Sequence, residues 1–397
     1  MAAPRPETVS EPLAARLVAL RRDLHQHPEL AWEERRTHDV ICRELTRLGI
    51  AHRSHVAGTG VIADIPGPPG IPAVALRADT DALAIHEETG LPFASQTPGV
   101  MHACGHDGHT AMLLGAANLL AGRTDLPAPV RMLWQPAEEK VDGARALIAE
   151  GALEGVGCIF AGHVDRHYPP GTLAVTRGAV NASTDRFHIT VRGQDAHGAR
   201  PHESVDAIVV GSHLVMSIQT IVSREIDPAE PSVVTVGRFQ AGTIHNAIAG
   251  VAELEGTIRA QHPDVRAHLK QSVVRMAKAI ADLHGAQADV RIEPGAPPVI
   301  NDDRAFALAH AAATDVVGPE RVVPLGTANM GGEDFADYLE HVPGCYIRFG
   351  ARVPGGESHP AHSSRFDFDE SAVAIAAARF VRVAEVAGAA LTSGSLG

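Results

Sequence analysis

Residues 101–109 read Met-His-Ala-Cys-Gly-His-Asp-Gly-His, a run of imidazoles with one thiol and one carboxylate just ahead of an apolar helical stretch. Cys104 and His106 sit two apart, so they can close on one cation only where the backbone is irregular, and Gly105 between them supplies that freedom. Thiolate plus imidazole favours zinc or a similar first-row divalent ion over magnesium or calcium. A buried thiol beside helix-capping polar residues accounts for an isolated Cys-x-His at least as well, so the reading turns on partners elsewhere in the chain.

Those partners stand at the ends of β-like runs. Residues 73–77 lead into Asp79 and Asp81, 130–135 are stopped by Pro136 and followed by Glu138-Glu139, and 158–161 run into Gly162-His163. Each alone fits a capping acid or a polar loop. Together they indicate a site, because ligands of parallel α/β sheets bind beyond the carboxyl ends of the strands. His362, in Pro360-Ala-His-Ser-Ser ahead of the last helix, is a further candidate.

The elements that must position these residues follow from periodicity. Ser10 is an N-cap candidate for an opening helix with Leu13, Leu17, Leu20 and Leu24 on one face, ending before Pro28. Strands at 60–65, 73–77, 130–135 and 158–161 alternate with helices at 110–120 and 144–150, the pattern of a mostly parallel α/β sheet. From Asp185 the order changes: a strand through Phe187, Ile189 and Val191, a helix over 204–222, strands at 233–239 and 251–259, a helix over 264–283 and a strand at 288–292. That is the ferredoxin-like βαββαβ order. It predicts a domain of residues 183–295 inserted between α/β parts 1–182 and 296–397, with Pro294, Pro297 and Pro298 at the exit. The second part carries a helix over 305–316, a strand at 345–349 and a closing helix over 371–386.

Composition bounds the partners. The 397 residues are 45% hydrophobic, enough for more than one core, and the net charge of -13 argues against nucleic acid or an anionic membrane. Cys42, Cys104, Cys158 and Cys345 are scattered without a Cys-x-x-Cys pair, which suits a reducing compartment and points to the cytoplasm. The first residues have no apolar signal core, and no later apolar run is expected to be long enough to cross a bilayer.

The segments Asp23-Leu-His-Gln-His-Pro-Glu-Leu, Arg77-Ala-Asp-Thr-Asp-Ala-Leu, 101–109, Gln135-Pro-Ala-Glu-Glu and His197-Gly-Ala-Arg-Pro-His together resemble the M20 metallopeptidase superfamily. More narrowly they resemble its amidohydrolase branch of hippurate hydrolases, N-acyl-amino-acid aminoacylases and auxin-conjugate hydrolases. The likeness runs on through Gly256-Thr-Ile-Arg259 and Gly332-Glu-Asp-Phe to Phe366-Asp-Phe-Asp-Glu. It implies a two-metal catalytic domain with an inserted lid through which subunits form a homodimer, or a higher oligomer built from it.

Carried over position by position, the resemblance makes Cys104, His106, Glu139, His163 and His362 the ligands of two divalent ions, Zn or Mn before Ni or Co. It also makes Glu138 the general base; neighbouring glutamates in an extended segment face opposite ways, so one can hold metal while the other faces the bound water. Asp81 orients the metal shell, with Asp79 a weaker candidate for the same work. His197 stabilises the developing oxyanion, often from the neighbouring subunit, while Asn246 and Arg259 resemble residues that bind a substrate carboxylate. His25 and His27 are expected to be structural, and His102, His109 and His202 to support or cap. The remaining cysteines are expected to pack in the interior.

The implied activity is hydrolysis of the amide of an N-acyl amino acid to a carboxylate and a free amino acid. A dipeptidase or an N-carbamoyl-amino-acid hydrolase could use the same centre, and a non-catalytic metal- or ligand-binding protein is the alternative from another class. Ala84, Lys140-Val-Asp, His245-Asn-Ala-Ile-Ala-Gly and Ser363-Ser364 depart from the branch's usual residues. They remove no proposed ligand, but they alter loops near the pocket, so the acyl group is not inherited from any one relative.

Overall fold

The computed structural model describes residues 9–327 and 329–395. They form two compact units. One comprises the described residues up to Val180 with Ile300–Gly326 and those from Asp334 onward; the other comprises Asn181–Val299 and the described residues of 327–333. The second unit thus draws in a short segment from the range 296–397, through Ala182 N–H donating to the Gly331 carbonyl at 3.1 Å and Gln261 Nε2 donating to that of Asn329 at 3.0 Å.

The first unit is built on an eight-stranded sheet in the spatial order His52–Val56, Gly60–Ile65, Val130–Gln135, Ala73–Asp79, Val156–Asp165, Gly344–Gly350, Leu173–Ala174 and Val322–Val323. Its middle strands run parallel, with Asp79 opposite Gln135 and Arg348 opposite His163. Ala73–Asp79 and Gly344–Gly350 are buried at every position, as expected of strands covered on both faces. Helices His106–Leu120, Glu11–Gln26 and Ser371–Thr392 pack together over Gly115, where an added Cβ would lie 2.7 Å from both Ala377 Cβ and Leu17 Cδ1. No larger residue fits that crossing.

The opening helix, Glu11–Gln26, follows Ser10 as N-cap, although the Ser10 hydroxyl makes no capping bond. Several elements escape the periodic reading, two of them early in the chain. Helix Arg35–Arg47 buries Thr37, His38 and Glu44 beside Val40, Ile41 and Leu45, so its inner face is not an apolar stripe. Strand His52–Val56 buries only Val56 and shows no alternation.

The second unit carries a four-stranded antiparallel sheet in the order Ser232–Ala241, Val251–Ala260, Asp185–Arg192, Gln287–Glu293, the ferredoxin-like arrangement. Helices Ala207–Glu225 and Pro263–Leu283 pack with it around Phe187, Leu214, Leu254 and Val273. Asp206 caps the first of these helices by accepting from Ile208 N–H at 2.9 Å. This helix corrects one expectation: at 19 residues and mean hydropathy 1.3 it is long and apolar enough to cross a membrane. Here Val210, Leu214, Ile218 and Ile221 bury one face in the unit's own core instead.

Candidate metal centre

Gly105 takes φ +94° and serves as N-cap of helix His106–Leu120. The helix therefore begins at His106, four residues before the position expected from apolar periodicity, and His106 and His109 lie in its first turn. A Cβ at Gly105 would stand 2.5 Å from Val164 Cγ2, so both the φ and the space require glycine. Cys104 Sγ lies 3.2 Å from His163 Nε2. The other ring nitrogen of His163 is 2.7 Å from the Val164 carbonyl oxygen and must donate to it, which leaves Nε2 with its lone pair. His106 is oriented by a similar bond: Nδ1 donates to the Asp81 carbonyl at 2.9 Å, and Nε2 is buried with no hydrogen-bond partner among the described residues. The donor atoms of Cys104, His106 and His163 all lie within 4.8 Å of one another.

Cys104 belongs to a second such group, with Glu139 and His362. His362 Nε2 is 3.3 Å from Glu139 Oε1, and its own N–H donates to the Ala103 carbonyl at 2.8 Å, tying this loop to the residue before Cys104. Glu138 groups likewise with His106 and Glu139. Both glutamates sit on a short 3₁₀ turn, Glu138–Lys140, flanked by Ala137 at φ +56° and Val141 at φ +62°. Non-glycine residues reach that region at a cost of roughly 1–2 kcal/mol each, so other bonds must hold the turn. Asp81 supplies two of them, accepting from Glu138 N–H at 3.1 Å and Glu139 N–H at 3.0 Å while its Oδ1 lies 3.2 Å from His106 Nδ1. One carboxylate therefore orients an imidazole and the paired-glutamate turn together.

Asp79 contributes differently. It accepts from His109 Nδ1 and from Arg77 Nη1, each at 2.6 Å, while His109 Nε2 accepts from Val164 N–H at 3.0 Å. Asp79, His106 and His109 also lie within 4.8 Å, but both His109 nitrogens are committed, so that group braces the helix rather than holding an ion. Arg77 reaches on to Asp334 at 2.8 Å, which accepts as well from Gln135 Nε2 and from Ala144 N–H at 3.0 Å. Sequence reasoning passed over Asp334; its signal was the Gly332-Glu-Asp-Phe segment, read there only as a mark of resemblance.

Charge follows from these surroundings. Burial, with the Glu139 carboxylate alongside, pushes the Cys104 thiol up to about 12. Burial, aided by Arg348, holds His163 well below the usual imidazole range and so neutral. Burial opposes ionisation of Asp79, but the Arg77 guanidinium and the hydrogen bond from His109 outweigh it and keep its carboxyl well below the ordinary range. His362 is raised by its bond to Glu139. A thiol that burial keeps protonated becomes a thiolate when a cation replaces its proton. The donor set fits a borderline divalent ion, and the unpartnered His106 Nε2 marks a place for one.

His197, Asn246 and Arg259 lie in the second unit. Strands Ala196–His197 and Ala247–Ile248 form a two-stranded ribbon in which Gly198 N–H donates to the Asn246 carbonyl at 2.8 Å, so His197 and Asn246 are neighbours. His197 Nδ1 accepts from Ala199 N–H at 3.0 Å, and both residues are exposed. Arg259 is half-buried on strand Val251–Ala260, its Nε donating to Thr257 Oγ1 at 3.1 Å; burial and neighbouring Arg186 lower its pKa. Among the other histidines, His102 is buried and pushed down to about 4 by burial, and His202 is exposed beside Glu203. Cys158 and Cys345 are buried and Cys42 half-buried.

The chain is similar to known proteins over most of its length. Residues 75–386 match the family model described as peptidase family M20/M25/M40. The chain is 41% identical over 366 residues to an N-acetyl-L-cysteine deacetylase of Bacillus subtilis (strain 168), covering 91% of this chain and 85% of that one. It is 42% identical over 289 residues to an N-acyl-L-amino acid amidohydrolase of Geobacillus stearothermophilus, covering 72% and 78%. Among solved structures, the Bacillus subtilis YXEP protein, described as a dinuclear metal binding peptidase from the M20 family, superposes with TM-score 0.85 at 37% identity over 95% of this chain and 99% of that one.

Proposed function

The chain belongs to peptidase family M20/M25/M40 and is a metal-dependent hydrolase of amide bonds, and from that premise we propose that it cleaves N-acyl amino acids to a carboxylate and a free amino acid. The observation that carries the proposal is the pair of donor groups sharing Cys104, with Glu138 beside both His106 and Glu139. Cys104, His106 and His163 would hold one divalent ion, and Cys104, Glu139 and His362 the other, Zn or Mn before Ni or Co. Two such ions, when bound, supply electrophilic polarisation of the scissile carbonyl and a more acidic water. Glu138 takes the proton of the attacking water and returns it to the departing amine nitrogen. Asp81 keeps Glu138 and His106 in register through the bonds described above. No side chain forms a covalent bond to the acyl group.

The test is a metal analysis of the purified protein with a panel of N-acetyl, N-benzoyl and longer N-acyl amino acids. Glu138→Gln should lower kcat by about 10²–10⁴-fold with metal content near that of the parent. Near-normal turnover in that variant removes the mechanism. Dipeptide cleavage, or ammonia release from N-carbamoyl substrates, would move the substrate class while leaving the metal centre in place.

We further propose a homodimer through the second unit, with His197 donating to the developing oxyanion of the partner's site and Asn246 and Arg259 holding the substrate carboxylate. Ser232–Ala241 is an edge strand with Phe239 exposed, and helix Ala207–Glu225 presents Val209 and Met216 at 52% and 70% exposure, an uncovered apolar face beside an open edge. Mixing Glu138→Gln with His197→Ala subunits should then restore activity that neither has alone. A fully active monomer by light scattering refutes the arrangement. The free thiols suit a cytoplasmic setting.

A further inference from the structure

We propose that Glu34 is a positioning residue for the paired glutamates: its carboxylate holds the amide of Ala137, the residue that turns the chain into Glu138 and Glu139. The inference rests on reading Glu138 as base and Glu139 as ligand. Glu34 is fully buried, and its bonds go to the backbone and a hydroxyl: Oε1 accepts from Ala137 N–H at 2.9 Å and Oε2 from Thr59 Oγ1 at 2.7 Å. Its own place is pinned. It is the N-cap residue of helix Arg35–Arg47, whose next two amides, Arg36 N–H and Thr37 N–H, donate to Glu29 at 2.9 and 2.8 Å.

Successive amides of Ala137, Glu138 and Glu139 are thus each bound by a buried carboxylate, the first by Glu34 and the other two by Asp81. Consecutive N–H groups curled by a left-handed residue form an anion-binding hollow, filled here by the protein's own acids. Ala137, at φ +56° and fully buried, is where that curl begins. Without Glu34 its amide would be buried and unpaired, and rotation toward an ordinary φ would swing both glutamates. Asp81 restrains the amides of Glu138 and Glu139 but makes no bond to that of Ala137, so it is Glu34 that holds the residue where the curl begins.

The experiment compares the parent with Glu34→Ala and Glu34→Gln, reading metal content, the ligand-field spectrum of the Co²⁺-loaded protein, and kcat and KM separately. Glu34→Ala should shift the Co²⁺ bands and lower kcat by about 10–100-fold at nearly unchanged KM. Glu34→Gln keeps an acceptor oxygen for Ala137 and should restore the spectrum and most of kcat. A Glu34→Ala protein with the parent's spectrum and kcat, less stable or not, overturns the proposal; so does a Gln variant as impaired as the Ala one, which would mean charge rather than the bond to Ala137 is needed. If Glu34→Ala does not fold, Thr59→Val loosens the same carboxylate and should shift the bands in smaller measure; an unchanged spectrum overturns the proposal. Failure of the hydrolase reading looks different: the parent turns over no N-acyl amino acid, or Glu138→Gln is active, while the Co²⁺ spectrum still reads Glu34.

Discussion

His25 should make the stability of the first unit fall between pH 6.5 and about 9. Its ring is fully buried, with Nδ1 2.8 Å from Asp107 Oδ2 and Nε2 3.3 Å from Glu87 Oε1, and Arg21 Nε reaches the same Asp107 oxygen at 2.8 Å. Burial alone would lower its pKa and Arg21 opposes protonation, but the bond and charge of Asp107, with Glu87, outweigh both and raise it from 6.5 to about 9. At 1.36 kcal/mol per pH unit that rise amounts to about 3 kcal/mol. The sign follows from the direction. A raised histidine contributes fully below the unfolded pKa and loses its contribution as pH climbs through the folded one. Asp107 is shifted downward, so its share disappears only in acid, outside this window. The assay is calorimetric Tm from pH 6 to 9.5 for the parent and His25→Gln at fixed free metal, because metal binding carries its own pH dependence common to both proteins. At about 2 °C per kcal/mol, the parent should lead by roughly 6 °C at pH 6, with the lead closing by pH 9.5. A lead that is flat, or that widens with pH, would refute the reasoning.

Gly105→Ala places a Cβ against Val164 and forces alanine to φ +94°, which should cost roughly 2–4 kcal/mol by denaturant titration and lower metal affinity; an undisturbed variant would show that the loop has room to move. Cys104→Ser removes the donor common to both groups, so metal content by elemental analysis should fall for both ions together, and retention of two ions would make Cys104 a bystander. Arg379 is fully buried against Phe160 and Phe380, its three guanidinium nitrogens have no hydrogen-bond partner among the described residues, and burial lowers its pKa to about 10. Arg379→Met should therefore stabilise the protein by about 1–4 kcal/mol in urea. A loss of stability would reveal an anion or water bound to the guanidinium.

Residue types and local period determined much of this protein. Cys104-Gly-His106 announces donors on an irregular backbone, and strands such as Val130–Gln135 are legible because apolar runs end at a proline or an acid. The ferredoxin-like order over residues 185–293 is legible because strands such as Asp185–Arg192 alternate and helices such as Ala207–Glu225 carry a repeat of 3.6. The tertiary structure decided which acid does what. Asp79 and Asp81 look alike in Arg-Ala-Asp-Thr-Asp, yet one braces His109 and Arg77 while the other binds two backbone amides of a turn 57 and 58 residues away. Glu34 meets Ala137 across 103 residues, from a helix whose mixed inner face hides it from periodic reading. A hydrogen bond to a backbone amide asks nothing of the partner's side chain, so no residue pattern records it. Only the fold that brings the two segments together decides where such a bond forms.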